Sequence, residues 1–193
     1  MVKSIGSKKI KTAVFISGTG SNLHSLIKFS KKKKSPISID IIISNNWKSR
    51  GLKYSSIYKI KKKLFNFKKK KIAEKQILKI LKKDKIDLIC LAGFMIILSN
   101  YFIKNFKGKI LNIHPSLLPK YKGLDTHKKV IKNKEKFTGC TVHYVTQKLD
   151  SGKVILQRKI KIKKFDTPKI IAKKVLAQEH KLYPEAILKI FSL

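Results

Sequence analysis

The chain has 193 residues, of which 47 are basic and 10 acidic, so its formal net charge is +37 at pH 7. This length predicts a single domain with its own hydrophobic core, and an apolar fraction of 42% argues against a wholly disordered chain. The longest apolar run, residues 88–98, is too short for a membrane helix, which needs about 20 residues. No membrane association is therefore expected.

Lysine carries almost all of the positive charge, since the only arginines are Arg50 and Arg158. Lysine neutralises phosphates and so permits nucleic-acid binding, but base-specific recognition favours the planar fork of arginine. The excess of Lys and Ile over Arg and Ala is also typical of drift in an A+T-rich coding sequence. Because the lysines are spread along the whole chain, drift is favoured and only non-specific nucleic-acid binding is expected.

The first half of the sequence predicts strands that alternate with helices. Strands are predicted at 12–16, 37–43 and 86–92, helices at 23–29, 51–58 and 72–83, and a basic connection at 61–71. Such alternation indicates a parallel α/β sheet. Within the predicted strand 86–92, the continuous apolar run at 88–92 indicates a sheet that is covered on both faces.

The second half predicts a different arrangement. Strands are predicted at 109–113, 138–145 and 154–162, and the last two are joined by a short turn around 150–152, which favours an antiparallel pair. Thr167 as N-cap and Pro168 as first helical residue predict a final helix running towards Leu188. The predicted fold class is therefore α/β with a mixed, mostly parallel sheet.

Neither a secretory signal nor a disulfide framework is visible. Residues 1–11 contain no apolar signal region, and Cys90 and Cys140 both lie inside apolar runs, where they are interpreted as small core residues. These features predict a reduced, cytoplasmic protein. The sequence has no Cys/His spacing typical of a metal site, so no metal is expected.

The first candidate site is loop 18–22, which joins the first strand to the first helix. Glycine lets the backbone approach a ligand closely, and the N–H groups at a helix start attract anions. Ligands bind at this edge of an open α/β sheet. Because the loop lacks both the dinucleotide fingerprint and the P-loop lysine, phosphate binding and a plain strand-to-helix turn both remain open.

The second candidate site combines Asn112, His114 and Asp150. Asn112 and His114 lie two residues apart at a strand end, so their side chains are expected on the same face, where an amide donor and an imidazole suit a developing oxyanion. A structural histidine is the alternative. Asp150 would orient the His114 ring and stabilise its imidazolium if it folds back onto it; otherwise it is a turn residue.

Five segments, in this order, resemble those of the glycinamide ribonucleotide formyltransferases: GTGSNL, AGFMIILS, LNIHPSLLPKYKG, GCTVHYV and LDSGKVILQ. The resemblance covers residues 10–184. It implies a Rossmann-like, three-layer formyltransferase fold. It also implies transfer of the formyl group of 10-formyltetrahydrofolate to the amine of glycinamide ribonucleotide in de novo purine synthesis, with no metal.

The resemblance implies a role for individual residues. Asn112, His114 and Asp150 match the catalytic trio of the family. The residues implied in ribonucleotide binding are Gly20, Ser21 and Asn22 at the phosphate and Glu179 at the ribose. Those implied in folate binding are Lys70, Met95, Ile96, Ile97, Leu98, Thr146, Gln147, Lys148 and Leu149, together with Asn112 and Asp150.

The resemblance also carries expectations about organisation. The chain 1–193 is expected to form one domain, with residues 1–108 binding the ribonucleotide phosphate and residues 109–193 supplying catalysis and closing over folate, as a monomer or homodimer. The bond between Leu118 and Pro119 is predicted to be cis. Ile96 and Asp125 stand where relatives commonly have Arg and His, and His127 and His143 are interpreted as structural.

Three alternative functions are weighed against this one. A formyltetrahydrofolate hydrolase shares the Asn, His and Asp pattern, but is expected to lack GTGSN and to carry an additional N-terminal domain. A tRNA formyltransferase is expected to need a C-terminal RNA-binding domain, for which 193 residues leave no room. A basic nucleic-acid-binding protein is supported by the net charge alone.

Overall fold

One mixed sheet organises the computed structural model, which describes residues 9–191. Its strands are β1 (Ile10–Ile16), β2 (Ile37–Ser44), β3 (Lys61–Leu64), β4 (Leu88–Leu91), β5 (Lys109–His114), β6 (Phe137–Tyr144) and β7 (Val154–Lys161). They lie in the order β3-β2-β1-β4-β5-β6-β7. The first five are parallel, whereas β6 is antiparallel to both β5 and β7. The predicted fold class is confirmed.

Helices cover both faces of the sheet, which makes three layers. They are α1 (Ser21–Ser30), α2 (Lys53–Tyr58), α3 (Lys70–Lys83), α4 (Asn100–Asn105), α5 (Thr126–Lys132) and α6 (Pro168–Phe191). On one face α1, α5 and α6 contribute buried side chains such as Leu26, Val130 and Val175. On the other face α3 and α4 contribute Leu81 and Phe102. Within residues 9–191, no helix combines the length and apolarity needed to cross a membrane.

The prediction of a basic connection at 61–71 is wrong. Lys61–Leu64 forms the edge strand β3, paired in parallel with β2, and a 3-10 turn at Phe67–Lys69 leads into α3. All four residues of β3 are exposed, so the strand is fixed by its backbone bonds to β2 and shows no apolar alternation. Lysines on an edge strand also discourage pairing with another chain.

Several local predictions are confirmed. The Leu118–Pro119 peptide bond is cis. The Thr167 hydroxyl accepts a hydrogen bond from the Ile170 N–H at 3.3 Å, as an N-cap does. Cys90 and Cys140 are free and fully buried, and burial raises the pKa of each thiol to about 12.

The expectations for the amino-terminal segment and for the outer ends of the 1–193 domain fall partly on residues 1–8 and 192–193, which lie outside the described residues.

The strand order reverses next to β1. The chain moves outward from β1 to β2 and β3, and then returns to place β4 on the other side of β1. The loops that follow β1 and β4 therefore leave in opposite directions and open a crevice at the carboxyl edge of the sheet, which is where open α/β sheets bind ligands.

Candidate active site

A cleft with a volume of about 760 Å³ opens at this edge of the sheet. It collects the predicted site residues from distant parts of the chain. Its lining includes Gly20, Ser21, Asn22, Met95, Ile96, Ile97, Leu98, Asn112, His114, Thr146, Gln147, Lys148, Leu149, Asp150 and Glu179. Lys70 is the exception, since it begins α3 and does not line the cleft.

Loop 18–22 is held close against a second backbone. Gly20 has φ +72°, and a Cβ added to it would lie 2.6 Å from the Cα of Gly51. The carbonyl of Gly18 accepts hydrogen bonds from the Gly51 N–H at 3.0 Å and the Ser49 hydroxyl at 2.6 Å. The loop is therefore rigid, and glycine is required at position 20.

No described side chain accepts a hydrogen bond from the first N–H groups of α1, the helix that follows this loop. α1 has 10 residues, no acidic residue in its first turn and no side-chain hydrogen bond at its N-cap. The first N–H groups of a helix lack intrahelical partners and carry its positive dipole end. This end of the cleft is therefore suited to an anion such as a phosphate.

Asn22 and Glu179 form a buried pair beside that helix start. The Asn22 amide donates to the Glu179 carboxylate at 2.7 Å, and each residue is only 7% exposed. Burial raises the pKa of Glu179, which the Asn22 bond offsets only in part. The amide oxygen of Asn22 has no hydrogen-bond partner within the described part of the chain, so the pair keeps capacity for a polar ligand.

Asp150 folds back onto β5, as the sequence suggested it could. Its carboxylate oxygens lie 3.5 Å from Nδ2 of Asn112 and 3.4 Å from Nδ1 of His114. Nε2 of His114 lies 2.8 Å from the carbonyl of Tyr121. Both ring nitrogens of His114 therefore face hydrogen-bond acceptors.

The ionisation of Asp150 follows from its contacts. Burial raises the pKa of its carboxyl, but the adjacent His143 ring, the hydrogen bond from the Gly123 N–H and the charges of His114 and His143 outweigh burial and lower the pKa below its ordinary value. The Gly123 N–H donates at 2.9 Å. Asp150 is therefore a carboxylate at neutral pH.

The side-chain donors of Asn112 and His114 that face Asp150 are only loosely engaged. The contacts of Asn112 Nδ2 with His143 and Asp150 measure 3.3 and 3.5 Å, and that of His114 Nδ1 with Asp150 measures 3.4 Å. A good N–H···O bond spans about 2.7–3.2 Å. These N–H groups are therefore available to a stronger acceptor, such as an oxyanion in the cleft.

Sequence reasoning missed the part that His143 takes in this site. Its Nε2 lies 3.6 Å from a carboxylate oxygen of Asp150 and 3.3 Å from Nδ2 of Asn112, and its Nδ1 lies 2.9 Å from the Tyr144 carbonyl. His143 is opposite Asn112 in the β5–β6 register. The interpretation of His143 as purely structural is thus incomplete, and only that register could have revealed it.

His127 also lines the cleft. Burial and then the nearby charge of His114 lower the pKa of His127, which favours the neutral ring.

The described residues 9–191 contain no group of three or more His, Cys, Asp or Glu side chains placed to hold a metal ion.

Segment 95–98 leaves its backbone open to the cleft. The Met95 N–H donates to the Ser17 hydroxyl at 2.8 Å, whereas Ile96 and Ile97 form no backbone hydrogen bond with any described residue. The side chains of Met95 and Ile97 are 64% and 60% exposed. The main-chain groups of Ile96 and Ile97 can therefore form hydrogen bonds with a polar ligand in the cleft.

Comparisons with known proteins identify the family of this chain. The formyl transferase family model matches residues 10–187. Human trifunctional purine biosynthetic protein adenosine-3 is 41% identical over 95% of this chain, although the chain spans only 18% of that protein's length. Phosphoribosylglycinamide formyltransferase of Escherichia coli (strain K12) is 37% identical, over 90% of this chain and 84% of the relative.

Solved structures give the same result. The crystal structure of phosphoribosylglycinamide formyltransferase from Brucella melitensis is 40% identical, covers 95% of this chain and 96% of its own, and superposes with a TM-score of 0.89. The Bacillus halodurans enzyme is 31% identical with a TM-score of 0.90, over 94% and 95% of the two chains. This chain therefore belongs to the formyl transferase family, among the phosphoribosylglycinamide formyltransferases.

Proposed function

We propose that this chain transfers the formyl group of 10-formyltetrahydrofolate to the amine of glycinamide ribonucleotide, giving formylglycinamide ribonucleotide and tetrahydrofolate in purine synthesis. One observation carries the proposal. A single cleft joins an uncapped helix start at Ser21, suited to phosphate, with the open backbone of segment 95–98, and it places Asn112, His114 and Asp150 among its lining. The names of the relatives support the same reaction.

The mechanism is direct attack of the amine on the formyl carbon. A carbon–nitrogen bond forms to the ribonucleotide amine, negative charge collects on the formyl oxygen, and the bond from carbon to the folate nitrogen then breaks. Asn112 Nδ2 and the His114 imidazolium donate hydrogen bonds to that oxygen. Asp150 stabilises the imidazolium and helps to move the proton from the amine to the leaving folate nitrogen, directly or through water.

The ribonucleotide is proposed to bind at the first half of the chain. Its phosphate meets backbone N–H groups of Gly20, Ser21 and Asn22 at the start of α1. Glu179 accepts or donates a hydrogen bond at the ribose hydroxyls from its buried position beside Asn22. This assigns phosphate binding to residues 1–108, while Glu179 extends the ribonucleotide site into residues 109–193.

Folate is proposed to bind between segment 95–98 and the loop 146–150. Recognition through main-chain groups explains why Ile96 is tolerated where relatives commonly have arginine. Lys70 lies outside the cleft, so any contact with folate involves the part of that molecule that extends beyond the cleft. We propose a cytoplasmic enzyme that is monomeric or homodimeric.

A formyl-transfer assay tests the proposed function against its alternatives. The purified chain is incubated with 10-formyltetrahydrofolate and with glycinamide ribonucleotide, water alone or methionyl-tRNA as acceptor, and the products are separated by chromatography. Formylglycinamide ribonucleotide is the expected product, with far slower release of formate in its absence. Release to water at a comparable rate would identify a hydrolase, and formylation of the tRNA would identify a tRNA formyltransferase.

Binding to nucleic acid is expected to be weak and independent of sequence. The positive charge comes almost entirely from lysines, which neutralise phosphates, whereas base-specific recognition favours arginine. Affinity for a fluorescent DNA duplex, measured by anisotropy, should fall by roughly a thousandfold or more between about 50 and about 200 mM salt. Two unrelated sequences serve as mutual controls, and tight, salt-resistant binding to one of them would contradict the expectation.

A further inference from the structure

Glu74 is a buried carboxylate that the proposed mechanism does not use. It lies in α3, is 1% exposed and does not line the cleft. Its two oxygens contact one residue, Ser99: one accepts the Ser99 N–H at 2.8 Å, and the other accepts the Ser99 hydroxyl. Across residues 9–191, no cationic side chain pairs with Glu74. Its burial is therefore balanced by hydrogen bonds from Ser99.

Ser99 connects this carboxylate to the cleft. It directly follows Leu98, the last residue of segment 95–98, and its hydroxyl accepts a hydrogen bond from the Phe102 N–H at 3.1 Å as the N-cap of α4. By accepting the hydroxyl hydrogen, Glu74 leaves a lone pair of that oxygen for the cap. The carboxylate thus fixes both the backbone and the side chain at the point where the segment ends.

The segment has few other restraints. At its first residue, the Met95 N–H is held by the Ser17 hydroxyl. Between the two ends, Ile96 and Ile97 have no backbone partner among the described residues. The side chains of Met95 and Ile97 are mostly exposed, so packing restrains them little. The shape of the open backbone is therefore determined by the hydrogen bonds to Ser17 and Glu74 at its two ends, together with the packing of Leu98, which is 6% exposed in the core.

We propose that Glu74 is a positioning residue for folate: by anchoring Ser99 it holds segment 95–98 in the shape that presents its backbone groups to the pterin ring. This inference rests on the proposed function. A carboxylate can accept both donors of Ser99, and hydrogen bonds to a charged acceptor are stronger than neutral ones. A mispositioned segment would weaken folate binding without disturbing loop 18–22.

The test compares Glu74→Ala and Glu74→Gln with Leu81→Ala. Leu81 is 1% exposed in the same helix, about two turns from Glu74, so its truncation controls for loss of stability. KM is measured separately for 10-formyltetrahydrofolate and for glycinamide ribonucleotide, tetrahydrofolate binding is measured by calorimetry, and amide hydrogen exchange is followed over residues 94–99.

We expect Glu74→Ala to raise the folate KM roughly tenfold, the scale of one lost charge-assisted hydrogen bond, with an unchanged ribonucleotide KM. Exchange at the Ser99 amide should become faster. Glu74→Gln, which keeps one acceptor and the side-chain volume, should show a smaller rise and serves as the decisive variant if Glu74→Ala does not fold. Leu81→Ala should lower the melting temperature with an unchanged folate KM.

Other results would overturn the inference in distinguishable ways. If the wild-type chain transfers formyl and the Glu74 variants have the same folate KM and the same exchange rates as wild type, this inference alone is overturned. Equal increases in both KM values, or the same increase in Leu81→Ala, would reduce Glu74 to a structural residue. A wild-type chain that does not bind tetrahydrofolate would overturn the proposed function, and this inference with it.

Discussion

Replacing Asp150 with asparagine is expected to lower kcat by roughly 10²–10⁴-fold, the usual scale for loss of acid–base function. The substitution preserves shape and removes the charge that faces His114 Nδ1 at 3.4 Å. Its backbone should not suffer, because Asp150 has φ +44° and asparagine tolerates this left-handed region well. The amide oxygen of the introduced asparagine can still accept the Gly123 N–H.

The turn interpretation of Asp150 leads to a different result. If Asp150 only shaped the turn, Asp150→Asn would turn over at a nearly normal rate. Asp125→Asn is the matched control, since Asp125 also has positive φ but is 60% exposed at its side chain and pairs with Lys128. Turnover and KM for both substrates are measured by steady-state kinetics, and circular dichroism checks the fold.

Wild type and Asp150→Asn are also expected to differ in how their stability changes in acid. Because the pKa of Asp150 is lowered in the folded state, its ionised form stabilises the fold above the unfolded pKa of about 3.9. That contribution is lost as the pH falls through the lower, folded pKa. Wild type should therefore lose its stability advantage over Asp150→Asn below about pH 4, as urea unfolding at several pH values would show.

The parts of the fold that could be predicted are those with an apolar pattern. Buried strands such as Leu88–Leu91 have continuous apolar runs, and α3 has helical spacing, so these elements could be predicted from their side chains alone. The edge strand Lys61–Leu64 has four exposed residues. Its side chains show no such pattern, because backbone hydrogen bonds to β2, and not buried apolar side chains, hold this strand in the sheet.

The residues of the candidate site also differ in whether local sequence pattern could predict their place. Asn112 and His114 share one strand, so their common face follows from the β period alone. His143 depends on the β5–β6 register, and the contact of Glu74 with Ser99 joins a helix to a loop 25 positions later. Contacts of this kind come from tertiary packing, so local periodicity cannot reveal them. The motif resemblance supplied the remaining roles.

Replacing Gly20 with alanine is expected to raise the KM for glycinamide ribonucleotide by roughly 10- to 100-fold, because a lost hydrogen bond to a charged group such as phosphate costs about 1.5–3 kcal/mol. A Cβ at position 20 would lie 2.6 Å from the Cα of Gly51, and the positive φ of Gly20 strains any other residue. Backbone cannot yield as a flexible side chain can. Loop 18–22 must therefore move away from Gly51 and carry the start of α1 with it.

The same loop provides a matched control for this prediction. A Cβ at Gly18 would meet nothing within 4 Å, and Gly18 has no positive φ, so Gly18→Ala in the same cleft-lining loop should raise the ribonucleotide KM far less than Gly20→Ala and leave the folate KM unchanged. Gly20→Ala should keep the folate KM, since segment 95–98 is held by its own anchors. Steady-state kinetics with each substrate varied in turn measures both effects. Equal losses in the two alanine variants would mean that the close approach to Gly51 does not shape the phosphate site.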